Sequence, residues 1–306
     1  MINHATIRRS LLGCVRTSND CPLIDASPSR IGRRSCNTYP PHVRMISYLA
    51  PGYPAELFEA LAGHVGATLE LRTGRSGPDP HDDPFAAGTA DIGWVCSTSF
   101  AELTTDRPAS VQEVGVAWVP DDHDADGRPV YFSDVVVGPN SDLQCLDDLA
   151  GRRIGCNDPA SLSGYHALRI ELDRRGHVPA EFASLEMTGS HHRSIERLLA
   201  GDIDAAVVDS IVRTRKGRES ADVAALRVIE RLGPWPTQPV VMRIDVGADE
   251  VRAVRSALLE ANHDPRVAGL LQASALTRLV ATGPGHCAEV SAVTKHLLRH
   301  RLQDDR

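Results

Sequence analysis

Asp147–Tyr165 reads DDLAGRRIGCNDPASLSGY, and its order of residue types decides the fold class. Leu146–Ala150 forms a short helical turn that Gly151 closes, and Arg152–Cys156 reads as a strand. Asn157–Gly164 is a polar, small-residue loop, and a helix then runs to about Arg175. Strand, loop and helix in this order build a parallel α/β sheet, whose ligands sit beyond the strand ends at helix N-termini. Ser161 and Ser163 offer hydroxyls, Gly164 permits close approach, and the first-turn amides point at the same spot. Such a loop binds an anion without a full positive charge. The same residues read equally well as a plain serine-rich helix cap.

The pattern continues in both directions. Upstream, Val43–Leu49 and Ala67–Arg72 read as strands around an amphipathic helix at Pro54–Val65, with Leu57, Leu61 and Val65 on one face. Asp91–Cys96 is a buried-strand pattern ending in Ser97-Thr98-Ser99, and Val111–Val119 reads as one further strand. Downstream, strands are expected at Val135–Gly138, Leu185–Thr188 and Asp204–Val208, with a helix after Gly189-Ser190-His191-His192. Leu226–Leu232 leads through Gly233-Pro234-Trp235-Pro236 to a strand at Pro239–Arg243, and helices are expected at Ala248–Asn262 and Ala288–Arg301. A chain that leaves one α/β unit, builds a second and returns makes two lobes joined by two crossing strands. The expected boundaries are 43–130 plus 233–306 for the first lobe and 131–232 for the second. A ligand cleft and hinge closure belong between them.

Composition bounds the function. Of 306 residues, 42% are hydrophobic, and no run approaches the ~18 apolar residues of a membrane-spanning helix. The first 44 residues carry seven Arg against Asp20 and Asp25, a local +5, which leaves −12 of the formal −7 on the remainder. General nucleic-acid binding by so acidic a body is not expected. Residues 1–42 lack a sustained period and read as a disordered extension. Only Leu11 and Leu12 stand between Arg8-Arg9 and Cys14, too few for the apolar stretch of an export signal, about 7–15 residues. A non-native upstream extension is the other reading, since Met45 lies at the start of the first credible strand. The seven cysteines, Cys14, Cys21, Cys36, Cys96, Cys145, Cys156 and Cys287, show no C-x-x-C spacing and are expected to be free thiols.

Two further strand ends carry candidate chemistry. His191 could donate to an anionic oxygen, but His191 and His192 are adjacent and point apart, so neither a metal nor a cofactor is expected. Asp209 could accept from an ammonium or a protonated ligand oxygen, or simply cap the next helix. Tyr48, Tyr53 and Ser97 stand at strand ends of the first lobe.

Together the Asp147–Tyr165 stretch, the Gly-Ser-His turn and Leu199–Asp209 (LAGDIDAAVVD) resemble the phosphate/phosphonate substrate-binding proteins of ABC importers. The resemblance covers about Val43 to Arg243. It implies a two-lobed type II periplasmic-binding fold with two mostly parallel sheets and a hinge. It further implies that Tyr48, Ser97, Ser161, Ser163, Gly164, Tyr165, His191 and Asp209 hold a small anionic ligand, phosphonate- or phosphate-like. The expected protein is a monomer that does no chemistry, with an ABC permease as its partner. Leu162 stands where the family often has Thr, and Val95-Cys96-Ser97 departs from its Tyr-Gly, which puts phosphonate itself in doubt. The family implies an extracytoplasmic location, while the weak leader leaves a cytoplasmic one open. The alternative is a cytosolic enzyme on the same fold, similar to menaquinone-pathway dehydratases. It would use His191 or Asp209 as base and Cys96 or Cys156 as nucleophile on a small carboxylate. A LysR-type effector domain is a weaker third reading, because no helix-turn-helix precedes Met45.

Overall fold

A computed structural model describes residues 43–292 apart from 51, 80, 106, 107 and 284. The chain divides into two units, Met1–Asn37 and Thr38–Arg306, and every described residue lies in the second. The extension, Cys14, Cys21, Cys36 and the end of the Ala288–Arg301 helix therefore lie outside the described residues.

Among the described residues twelve strands occur in chain order: β1 (Val43–Ser47), β2 (Ala67–Leu71), β3 (Ile92–Trp94), β4 (Val111–Glu113), β5 (Val116–Pro120), β6 (Val130–Val137), β7 (Arg153–Cys156), β8 (Ser184–Met187), β9 (Ala205–Asp209), β10 (Arg227–Pro236), β11 (Val240–Arg243) and β12 (Leu276–Ala281). One five-stranded sheet has the order β2-β1-β3-β11-β4 and the other β10-β6-β9-β7-β8, while β12 pairs with β5 alone. β11 runs antiparallel to both neighbours, and so does β6. The remaining four strands of each sheet therefore run one way, giving two lobes of mostly parallel sheet.

The lobes are joined through residues 121–129, from β5 to β6, and residues 237–239, from β10 to β11. Thr237 ties these two passages together: its amide donates to Pro129 O (3.0 Å) and its hydroxyl lies 3.0 Å from Trp118 O. Arg231 on β10 pairs with Asp122 and Asp124 of the first passage and with the buried Asp134 of β6. Arg213 completes the second side of Asp134 at 2.6 Å.

Several elements differ from expectation for physical reasons. Val111–Val119 is two strands, because Gly115 adopts φ +77° and turns the chain out of one sheet towards another. Gly233-Pro234-Trp235-Pro236, read only as the stretch leading to the next strand, is part of one: β10 runs through it, with a register shift between Leu232 and Trp235. Proline is tolerated there because β10 is an edge strand. Ser97-Thr98-Ser99 is not a loop but the first turn of a helix, Ser97–Thr105, with all three side chains buried. The helix expected after Asp209 runs Ser210–Glu219, bounds the sequence did not supply, while the helix Pro265–Ala273 and strand β12 were not expected. The first has almost no apolar stripe, which removes the periodic signal.

Aromatics are few and concentrated. Trp94 and Trp118 stack at 5.8 Å, Tyr53 stacks on Trp118 at 4.7 Å, and Phe58 meets both tryptophans at the edge of the same cluster. This cluster sits under the first lobe's strand ends. Among the described residues no helix is long and apolar enough to cross a membrane.

Gly93 in β3 is fully constrained: a Cβ there would stand 2.6 Å from Phe85 Cζ and 3.2 Å from Ile46 Cγ2. Gly93→Val is expected to overpack this face and destabilise the fold by about 1–3 kcal/mol. A denaturant midpoint equal to that of the wild type would contradict the packing described.

Candidate functional site

A cleft between the lobes is lined by Tyr48, Arg75, Ser76, Asn157, Asp158, Ser161, Ser163, His191, Asp209 and Gln238, among others, with a cavity volume of about 50 Å³. A buried water needs about 10–15 Å³ on this measure, so the space takes roughly three or four waters or one small oxyanion.

Helix starts converge on it. Ser161, Ser190 and Asp209 are N-cap residues of three helical segments, and Tyr53 and Cys96 stand just ahead of two more. Each helix N-terminus carries a partial charge of roughly +0.5 and points amides outward. Only Arg75 among the lining residues bears a formal positive charge. Its Nε donates to Pro78 O at 3.2 Å, and no carboxylate pairs with it among the described residues.

The second-lobe wall is built on the quoted stretch. Ser161 Oγ accepts from Gly164 N (3.0 Å) and Ser161 O from His166 N (3.0 Å), an i→i+5 bond that opens the helix with a wide π turn. Such turns recur at functional sites. Gly164 matters by its missing side chain: a Cβ would fall 1.9 Å from Asn157 Oδ1 and 2.8 Å from His191 Cε1. Asn157 Nδ2 lies 3.3 Å from His191 Nε2, while the Asp209 amide lies 3.4 Å from His191 Nδ1. Burial, with a smaller push from His192, lowers the His191 pKa to about 3, so the ring is neutral at physiological pH. His192 turns away to Arg215, 2.9 Å from its Nε2. No group of three or more metal-ligating side chains stands together among the described residues.

The two walls touch directly. Ser76 Oγ donates to Asp158 Oδ2 (2.6 Å), Leu162 N to Cys96 Sγ (3.2 Å), and Thr98 Oγ1 to Ala160 O. Asp158 also accepts from Ala160 N at 2.9 Å. The loop carrying Arg75 and Ser76 is pinned by Cys96 N to Ser76 O (2.8 Å) and by Gly77, whose Cβ would overlap Ser99 Oγ at 1.9 Å.

Asp209 is 2% exposed. Its Oδ1 accepts from Ile211 N (2.8 Å) and Val212 N (3.3 Å), and its Oδ2 from Gln238 Nε2 (3.0 Å). Burial outweighs these donors and raises its pKa to about 7.

Of the residues singled out in the sequence, Tyr48, Ser161, Ser163, His191 and Asp209 line one cleft. Tyr53 and Cys96, also singled out, line it as well, whereas Ser97, Gly164 and Tyr165 do not. Ser97 is fully buried with its hydroxyl 3.4 Å from Pro236 O, because the first turn of its helix faces the passage between lobes. Tyr165, one residue past Gly164 on the turn, does not line the cleft: it is half-buried against the hydrophobic core, with the Arg169 guanidinium 5.4 Å from its ring centroid. Gly164 backs Asn157 and His191 rather than lining the space. Tyr48 also packs in a small core with Ile46, Phe85 and Val95, and burial raises its hydroxyl to about 12, so it stays protonated. Arg75, Ser76, Asn157, Asp158 and Gln238 were missed. The first two sit in Gly74-Arg75-Ser76-Gly77, a glycine-flanked polar loop after a strand that marks a turn. Gln238 carries no local signal at all. The thiols of Cys96 and Cys156 are pushed up by burial, the latter to about 12, which disarms both as nucleophiles.

The sequence matches, over residues 54–284, the family described as ABC transporter, phosphonate, periplasmic substrate-binding protein. No protein of curated function matches it significantly. Among solved structures it is similar to the binding protein component of an ABC phosphonate transporter from Pseudomonas aeruginosa, at 15% identity and a TM-score of 0.65. That match covers 83% of this chain and 85% of the other. It is similar to PhnD1 from Prochlorococcus marinus in complex with methylphosphonate, at 15% identity, TM-score 0.68, covering 85% and 99%. The periplasmic aliphatic sulphonate binding protein SsuA from Escherichia coli matches at 12% identity, TM-score 0.57, covering 86% and 89%. At these identities the likeness establishes the fold.

The raised pKa of Asp209 makes a signed prediction. The unfolded carboxyl titrates near about 3.9, so the folded state holds the proton more tightly. The stability this gives is complete below about pH 4 and is lost as pH rises through about 7. His191 works the other way: its contribution is complete above about pH 6.5 and is lost as pH falls towards 3. Comparing Asp209→Asn with the wild type cancels the His191 share. Urea melts at pH 5 and pH 8 are expected to show the variant gaining on the wild type at the higher pH. A difference that does not change with pH would refute the assignment.

Proposed function

Because the chain belongs to the family of periplasmic substrate-binding proteins of phosphonate ABC transporters, we propose that its cleft holds a small phosphonate or phosphate-like anion for an ABC importer. Solute binding is the function of this family, and the match favours it over the dehydratase-like alternative. The observation that carries the ligand class is the convergence of helix starts and hydroxyls on a space of about 50 Å³. Main-chain amides and N-terminal dipoles stabilise an oxyanion there, and the small volume limits its substituent. PhnD1, a structural neighbour, holds methylphosphonate, which agrees with this size and charge.

In this reading Ser161 and Ser163 face the oxyanion from the second lobe, His191 contributes a neutral hydrogen-bonding edge, and Arg75 brings the formal charge from the first. Asp209 accepts from a protonated ligand oxygen or from an amine on the substituent. The direct bonds between Ser76 and Asp158 and between Thr98 and Ala160 hold the cleft shut around the ligand. A permease partner and an extracytoplasmic site of action follow from the family.

Calorimetric titration and thermal melts with methylphosphonate, phosphite, phosphate and methanesulfonate test the proposal. At least one phosphorus oxyanion is expected to bind and, at 100 times its Kd, to stabilise the protein by about 2.7 kcal/mol. No heat and no stabilisation with any of the four would sink the reading. Ser163→Ala is expected to weaken the bound anion by about tenfold, the loss of one hydrogen bond to a charged group. An unchanged Kd for this variant would remove Ser163 from the site.

A further inference from the structure

Gln238 lies in the second passage between the lobes and is 3% exposed. Its Oε1 accepts from Trp118 Nε1 (3.1 Å) and from Tyr53 OH (3.3 Å), and its Nε2 donates to Asp209 Oδ2 (3.0 Å). Indole N–H is a donor only, so Oε1 must face Trp118 and the amide nitrogen must face the carboxylate. The orientation is forced. Trp118 and Tyr53 belong to the aromatic stack of the first lobe, whereas Asp209 ends β9 and caps the helix Ser210–Glu219 of the second. One carboxamide on the connection thus bonds both lobes at once, and it lines the cleft as well.

We propose that Gln238 is a positioning residue that holds the Asp209 carboxylate towards the ligand and ties its orientation to the setting of the two lobes. This rests on the anion-binding reading of the cleft. A movement of one lobe against the other that parts Trp118 from Asp209 stretches the Trp118–Gln238–Asp209 chain, so the setting of the lobes governs how the acceptor is presented. The groups facing Asp209 are the Ile211 and Val212 amides on its own helix, His191 on the neighbouring helix, Tyr53 and Tyr131, and Asp134 of β6. Asp134 is itself paired with Arg213 and Arg231. None of the others replaces the Gln238 donor on Oδ2, so its loss leaves burial and Asp134 to hold the proton on Asp209 to higher pH.

The test uses the full chain and methylphosphonate titrations between pH 5.5 and 8.5 on wild type, Gln238→Leu, Gln238→Glu and Asp209→Asn. The ligand's own ionisation is common to all and cancels in the comparison. Both Gln238 variants are expected to bind about three- to tenfold more weakly and to move the midpoint of the affinity profile upward by about half a pH unit or more. Gln238→Glu keeps an acceptor for Trp118 and Tyr53, and it carries the test if the leucine variant does not fold. Adding Gln238→Leu to Asp209→Asn is expected to cost less than it does in the wild type. Profiles that overlay the wild type, or additive losses, overturn the proposal while leaving the anion site standing. A wild type that binds no oxyanion removes the site and this role together.

Discussion

A carboxylate taken out of water loses several kcal/mol of hydration unless fixed donors replace it. Asp209 meets part of that demand with three donors drawn from different parts of the chain, two amides of the helix it caps and the carboxamide of Gln238, and burial still raises its pKa. The arrangement joins the end of β9, a helix start, the passage between lobes and the aromatic stack of the first lobe. His191 is held beside the Asp209 amide, Asn157 beside His191, and Gly164 leaves room for both.

The cleft handles charge with little formal charge of its own. Arg75 and Asp158 offset one another among the lining residues, His191 is neutral, and Asp209 titrates about neutrality. What remains is the field of the helix starts, which falls off within a turn and therefore acts only on a ligand seated deep between the lobes. In the proposed reading, a body carrying −12 outside its first 44 residues takes an anion without long-range attraction, the local amides supplying the stabilisation. The same reading explains the direct contacts between walls, since excluding water strengthens each of these partial-charge interactions.

Much of the fold was legible along the chain. The strand, small-residue loop and helix of Arg153–Arg174 announce themselves because a short apolar run gives way to a polar, serine-capped loop and then a helical pattern. Elements failed where the local signal was weak or contradicted by context. Val111–Val119 is mostly apolar (VQEVGVAWV), and only the φ +77° turn at Gly115 splits it between two sheets. Gly233-Pro234-Trp235-Pro236 carries turn residues yet extends an edge strand, because an edge needs no donor on its open side. Within the site, Ser161, Ser163, His191 and Asp209 were visible as strand-end polar residues. Ser97 and Tyr165 looked the same and face elsewhere, since the rotation of a side chain about a helix start is set by what packs behind it.

The residues alone determined the alternation of strand and helix, the family likeness and the polar character of the loops, because these depend on neighbours within a few positions. Which loops meet was decided only in three dimensions. Ser76 and Asp158 are 82 positions apart, Gln238 and Tyr53 185. No local propensity encodes such pairings: they arise when β6 and β11 carry the chain across from one sheet to the other and the buried polar atoms must find one another.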